Sequence, residues 1–236
     1  MKYISYILIP LFIMSCDPKD FQRILDTANQ NVLTNADISS GLKEALNIGV
    51  QKGVTTLSAQ NGYYESIYKI LLPLEAKKVV DKLKFIPGFA DLEKEAVKKI
   101  NLAAEDAAKS ASPIFVKAIR EMTISDVTNI LMGDKNAATL YLHNKTYQNL
   151  YSEFNPVIIT SLNKFGALNL WKDAITKYNS LPFVEKINPD LGDHVTRKAL
   201  DGLFALIEQK ELGIRTDISQ RTSDLLKKVF AKQDKP

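Results

Sequence analysis

The sequence predicts an all-α protein, a compact multi-helix bundle of about ten helices with short connectors, behind a short apolar leader. Apolar residues recur every three or four positions through most of the 236-residue chain, the period of one helix face. Helix-starting and helix-ending residues (Ser, Asp, Pro, Gly) punctuate that period at short intervals. No segment of 20 to 50 residues repeats, which argues against a solenoid.

The leader comes first. After Lys2, the twelve residues Tyr3 to Met14 are apolar except for Ser5 and Pro10. As a helix they would span about 18 Å, short of the roughly 30 Å of a bilayer core. This is the pattern of a cleaved export signal rather than a membrane span. Ile13-Met14-Ser15-Cys16 resembles the lipobox of bacterial lipoproteins, and Cys16 is the chain's only cysteine. The resemblance implies that Cys16 is acylated and becomes the new N-terminus. Two or three acyl chains would hold the protein at the membrane, since each buried methylene contributes about 0.8 kcal/mol. No thiol would then remain for disulfides or nucleophilic chemistry. The expected location is the cell envelope, lipid-anchored to the inner or outer membrane on its periplasmic or surface side. Asp26-Thr27-Ala28 also resembles a short O-glycosylation motif.

The helices follow in order. Phe21, Ile24, Leu25 and Ala28 give a first amphipathic helix ending near Leu33. Asp37 or Ser39 can cap a longer one, with Ile38, Leu42, Ala45, Leu46, Val50 and Leu57 on its face and Gly41, Gly49 and Gly53 on or beside it. Interior glycine costs about 1 kcal/mol relative to alanine, so three of them point to a closely approaching neighbour. Asn61-Gly62 reads as a turn, and Ile67 to Leu72 as a short irregular run closed by Pro73, in which Ile70-Leu71-Leu72 could be strand-like, although no partner strand is visible. A short helix spans Leu74 to Phe85 and ends before Pro87-Gly88.

Asp91 to Leu142 carries the densest pattern and reads as the spine. Leu92, Ala96, Ile100, Ala103, Ala107 and Ala111 share one face, and its small side chains invite close packing. Ser112-Pro113 reads as a cap and first residue, Thr123 with Asp126 as a capping-box restart, Gly133 as a left-handed helix end and Asp134 as the next cap. The helix opening at Ala137 should break or kink at Asn155-Pro156, and the one after it ends at Gly166. Leu170 to Leu181 carries Trp171 and stops at Pro182. Asp190 caps a long helix that buries Leu191, Val195, Ala199, Leu203, Leu206 and Ile207. Asp217 starts the last one, and the tail should fray. The resulting division is 1–15 signal peptide, 16–36 lipidated N-terminus, tether and first helix, 37–231 a single helical domain, and 232–236 frayed tail.

Asn101-Leu-Ala-Ala-Glu105, Ala118-Ile-Arg-Glu-Met122-Thr123 with Asp126 and Ile130-Leu131-Met-Gly133, and Ala137-Ala138-Thr139-Leu-Tyr141 form one signature. Lys198-Ala-Leu-Asp201-Gly-Leu-Phe204, Ile214-Arg215 and Arg221-Thr222-Ser-Asp-Leu225-Leu-Lys-Lys-Val-Phe230 continue it. Together they resemble an uncharacterised bacterial family catalogued as domain of unknown function forty-one ninety-seven, over most of the chain after about residue 37. The resemblance implies an all-helical exported protein and brings no reaction, ligand or catalytic residue with it.

Chemistry is sparse. The chain is 45% hydrophobic and 25% charged, with a formal charge of +4 spread without like-charge blocks. That spread is a weak argument for nucleic acid or an anionic membrane and reads as a solvated surface; no nucleic-acid partner is expected. There is no nucleophile elbow, phosphate loop or dinucleotide fingerprint. His143 and His194 have no metal-ligand partner at helical spacing and read as surface or capping residues. No catalytic residue, metal or cofactor is expected. The polar residues worth naming are Asn101, Glu105, Arg197, Asp201, Arg215 and Arg221, several of them one turn apart, with Glu211 one turn before Arg215. They read either as a shared cluster facing an anionic group or as ordinary i,i+4 pairs on solvated faces, with the second favoured. Tyr141, Tyr147, Tyr151 and Phe154 read as core and rim. The functional expectation is a non-catalytic binding or scaffold module, membrane-held through its lipid, that takes an envelope protein partner or a small ligand. The alternative is an envelope enzyme with an acid-base site of Glu105 and the C-terminal arginines.

Overall fold

Gly49 explains how the bundle closes. A Cβ placed on it would lie 3.0 Å from the Ile207 Cα, so one neighbouring helix comes almost to backbone contact with the glycine face, and one on Gly41 would lie 2.7 Å from Val229 Cγ2, so a second seats a side chain against it. The computed structural model describes residues 33–121, 123 and 127–234. The expected leader, Cys16, Thr27 and the helix from Phe21 lie outside the described residues, as do Met122 and Asp126. Among the described residues there are nine α-helices and no strand: α1 (Asn35–Leu57), α2 (Leu74–Leu83), α3 (Leu92–Ala108), α4 (Ala111–Glu121), α5 (Val127–Met132), α6 (Ala137–Lys164), α7 (Ala167–Asn179), α8 (Leu191–Thr216) and α9 (Asp224–Phe230). Single 3-10 turns follow α8 (Ile218–Gln220) and α9 (Ala231–Gln233).

The hub is α8, not the stretch from Asp91 to Leu142. It packs along α1 and α6 and also touches α3, because its buried residues run round much of its circumference, from Leu191 and Val195 to Phe204, Ile207 and Ile214. The alanine face of α3 is fully buried, with Ala103, Ala104, Ala107 and Ala108 all at 0% exposure, and it lets α3 lie close against α6. Asp190 caps α8 by accepting from Asp193 N, as the sequence predicts.

Several local expectations change, each for a physical reason. Helix α6 runs unbroken through Pro156. Pro156 is exposed, so the Ser152 carbonyl that it leaves without a partner faces water instead of the core. Gly133 does not take a left-handed conformation; only Gly88 and Gly166 do among the described glycines. It is glycine because a Cβ there would sit 2.7 Å from the Asn129 carbonyl oxygen. Asp134 does not cap α6, whose N-cap position is Asn136; the Asn136 side chain makes no capping bond and donates to Glu208 instead. Helix α4 starts at Ala111, two residues before Pro113. Asp217 caps only the short 3-10 turn, and the last helix has its own cap in Ser223, which accepts from Leu226 N. The tail is held as far as Asp234, whose carboxylate meets Arg221 through two bonds of 2.7 Å.

The stretch that could be strand-like leaves a turn at Ile67 and Tyr68 and runs on without helix or strand partner from Lys69, with a side chain in the partner's place. Asn101 donates to the Ile70 carbonyl (2.8 Å) and accepts from Ile70 N (2.9 Å), the pair of bonds that a neighbouring strand would supply. Asn179 clasps Ile187 in the same reciprocal way, at 3.1 Å each. Two connectors are thus pinned to helices by one amide each.

Candidate functional site

The six polar residues named from the sequence fall into three places. Asn101 and Glu105 serve the connector after α1: Glu105 accepts from Asn61 N, Tyr63 N and Tyr64 N, each at 3.2 Å. Arg215 and Arg221 sit at the other end of the hub. Arg215 donates to the carbonyls of Leu131 (2.6 Å) and Ile130 (3.0 Å) at the end of α5, and to Glu211 (2.8 Å). Arg221 donates to the carbonyls of Ile214 and Arg215 at the end of α8. Glu211 is fully buried and accepts from Ala138 N and Thr139 N, the first-turn donors of α6. These side chains close helix termini, where orphan N–H groups draw an acid and orphan carbonyls draw a base. The pair Glu211–Arg215 is therefore not on a solvated face; both side chains are nearly inaccessible, at 1% and 2%. Glu105 and the C-terminal arginines are not brought together, and both Glu105 oxygens are already engaged.

Arg197 and Asp201 are different. They do not pair with each other: Arg197 donates through Nε to both oxygens of Asp193 (2.9 and 3.0 Å), and Lys198 takes Asp201 (3.1 Å). Tyr151, from α6, donates to Asp193 Oδ1 at 2.6 Å, and the Arg197 guanidinium lies 4.9 Å from its ring centre. Tyr147, one turn earlier on α6, lies against His143 with tilted rings, centroids 4.6 Å apart. His194 bonds through Nε2 to the Leu71 carbonyl (2.8 Å) and ties the connector before α2 to the hub.

Around these residues runs a groove. One cavity of about 410 Å³ is lined by Pro73, Glu75, Tyr147, Asp193, His194 and Arg197, among others. A second of about 480 Å³ adjoins it through Pro73, Glu75, His194 and Lys198, and its floor is Leu71, Leu72 and Leu74 beside Lys69. The trough thus passes from an apolar ledge to a Tyr–Asp–Arg cluster.

The electrostatics follow from these contacts. The Arg197 guanidinium, then the Tyr151 hydroxyl, hold the Asp193 carboxyl below its ordinary value. The bond to Asp193 pushes Tyr151 up to about 12. Burial, with Asp201 adding, raises Tyr147. Since Arg197 and Asp193 are 54% and 36% exposed, their pairing contributes only about 0.3–0.5 kcal/mol to stability. Fold stability therefore gives little reason for the arrangement. A perturbed set of titratable groups in a groove is a mark of a functional site.

One consequence is measurable. In the Asp193→Asn variant, Tyr151 should titrate near the ordinary phenol value of about 10 instead of about 12. The raised value means that the Tyr151–Asp193 bond favours the fold below pH about 10 and is lost as pH climbs towards 12. Titration of the tyrosine ring by NMR reads it directly, and an unchanged Tyr151 would show that the bond is absent in solution.

The tyrosine and acid partners were missed by sequence reasoning. Tyr147 and Tyr151, and Asp193 and Arg197, are each one turn apart, but nothing in the chain says that these two turns face each other. Among the described residues, no group of three or more His, Cys, Asp or Glu could hold a metal ion, and no helix is long and apolar enough to cross a membrane. No curated protein matches the chain, and no solved structure does. The family model described as "Protein of unknown function (DUF4197)" matches residues 32–231, and the chain belongs to that family.

Proposed function

We propose that this is a lipid-anchored protein of the bacterial cell envelope, held through Cys16, and that it is a non-catalytic binding module working through the α6–α8 groove. The ligand would pair an apolar stretch with an anionic group, as a carboxylate-bearing small molecule or an extended peptide end does. The observation that carries the reading is the trough itself. Its ledge of Leu71, Leu72 and Leu74 offers apolar contact, and Arg197, fixed through Nε by Asp193 and also bonded to Tyr147, brings a guanidinium to the trough for an anion. The lipobox resemblance supports the anchor.

The test is capture by the native full-length protein from envelope extracts, followed by mass spectrometry of both proteins and small molecules. The Arg197→Ala variant, with an unchanged circular dichroism spectrum and melting temperature, should lose the bound species by about tenfold or more, the effect of one charge-assisted contact of 1.5–3 kcal/mol. Equal capture by both forms would overturn the groove reading. A metabolite consumed during incubation would favour an enzyme instead. The N-terminal peptide of the native protein should carry acyl chains on Cys16; an unmodified Cys16 would overturn the anchor.

A further inference from the structure

Helix α2 buries one side and leaves a patterned other side uncovered. Its buried residues are Ala76, Val79, Val80 and Leu83. At 100° per residue, the opposite line of the helix is Leu74, Lys78 and Asp81, and Phe85 continues its direction from the turn just past the C-cap Lys84. Leu74 is 77% exposed and Phe85 83%, about 16 Å apart along the axis. Large apolar side chains left in water at both ends of one stripe are unusual for a helix whose other face is well packed. The connector just before it adds Ile67 at 91% and Leu71 at 63%.

The residues between and beside them are mostly cationic. Residues 74 to 85 hold Lys77, Lys78, Lys82 and Lys84 against Glu75 and Asp81. Lys77 reaches Glu93 (3.4 Å) and Lys84 reaches Asp81 (3.6 Å). Lys78 and Lys82 make no ion pair among the described residues and are exposed. Neither cation offsets the two apolar ends; together they complement a surface that is apolar underneath and negatively charged above.

We propose that this stripe rests on an anionic lipid surface, with Leu74 and Phe85 entering the boundary below the headgroups and Lys78 and Lys82 at the phosphates. Shape favours lipid over protein. The stripe is the convex back of one short helix, roughly 15 by 10 Å, whereas a stable protein partner covers about 800 Å² on each side. Lipids rearrange around a ridge, and each lysine near an anionic surface contributes about 1 kcal/mol. This surface borders the groove, sharing Leu71 and Leu74 with its apolar ledge, and it needs no acyl chain; Phe85, Lys78 and Lys82 lie outside the groove.

The experiment uses the full chain with Cys16→Ser, which removes its only cysteine, and with Leu74→Cys labelled by an environment-sensitive fluorophore. On vesicles of one part phosphatidylglycerol to two parts phosphatidylcholine, the label should shift to the blue and become quenchable from the lipid phase. Lys78→Glu with Lys82→Glu should weaken the phosphatidylglycerol-dependent part of vesicle binding by about tenfold or more. Both positions are exposed, so the fold is unaffected, which circular dichroism verifies. A label that stays in water on vesicle-bound protein overturns the proposal, as does equal binding by the charge-reversed variant. So does protection of the label by self-association in the absence of vesicles, which would make a second copy the occupant.

Discussion

Glu211→Ala is expected to lower stability by about 4 kcal/mol, from the 3–5 kcal/mol that breaking one side of a buried ion pair costs. In a domain of this size that is a drop of roughly 8–16 °C in melting temperature. The carboxylate accepts from Ala138 N (2.9 Å), Thr139 N (2.7 Å) and the Thr139 hydroxyl (2.6 Å), and it neutralises Arg215. Removing it leaves the first turn of α6 without an acceptor and a guanidinium buried without its counter-charge. Arg215 would still have the Ile130 and Leu131 carbonyls, which are dipoles and not a compensating charge. The double variant Glu211→Ala/Arg215→Ala should therefore cost less than the sum of the single changes by about 2 kcal/mol, within the usual range for groups in one network. Urea unfolding followed by circular dichroism measures all three. A loss below about 1 kcal/mol for Glu211→Ala would mean that the pair behaves as a solvated i,i+4 contact, as its spacing alone suggests.

That contrast shows where the chain is legible and where it is not. The all-helical class, the buried faces of α1, α3 and α8, the Asp190 cap and the Asn61-Gly62 turn could all be read from period and punctuation, because each depends on residues within a turn or two. Spacing of four is ambiguous in a way that period is not: Glu211–Arg215 in the core and Arg197–Asp193 at the surface have the same sequence appearance. What separates them is the partner elements, Ala138 and Leu131 for one and Tyr151 for the other, over forty residues away. A helical row offers Arg197 an acid one turn away on each side, Asp193 and Asp201, and the Tyr151 hydroxyl on Asp193 goes with the choice of the earlier one. The same distance hides the caps. Helix α6 begins without a useful local residue because its cap arrives from α8, so Asp134 looked like the answer. Pro156 misled for a different reason: proline's effect on a helix depends on whether the orphaned carbonyl meets solvent, and exposure is not written in the local sequence.

Glu105→Ala is the second large effect, expected at about 3 kcal/mol, from one buried and two partly buried donors left without their acceptor. The Glu105 carboxylate anchors Asn61 N and Tyr63 N, two positions of the turn that reverses the chain after α1, where Asn61 takes a positive φ of 62°. Tyr63 is buried completely and donates its hydroxyl to the Ala199 carbonyl of the hub (2.8 Å). Burial, with the Glu105 charge adding, holds its phenol well above the ordinary range, so it stays a donor at any working pH. The loss should accordingly be local before it is global. Amide exchange at Asn61, Tyr63 and Tyr64 should rise sharply in Glu105→Ala, while α5 and the end of α8, which close through Arg215 and Arg221, keep their protection relative to the lowered global stability. Hydrogen exchange read by mass spectrometry separates the two regions. If protection fell evenly across the bundle, Glu105 would be part of one cooperative core with Glu211; if it did not fall at residues 61 to 64, the three backbone bonds would not be what holds the turn.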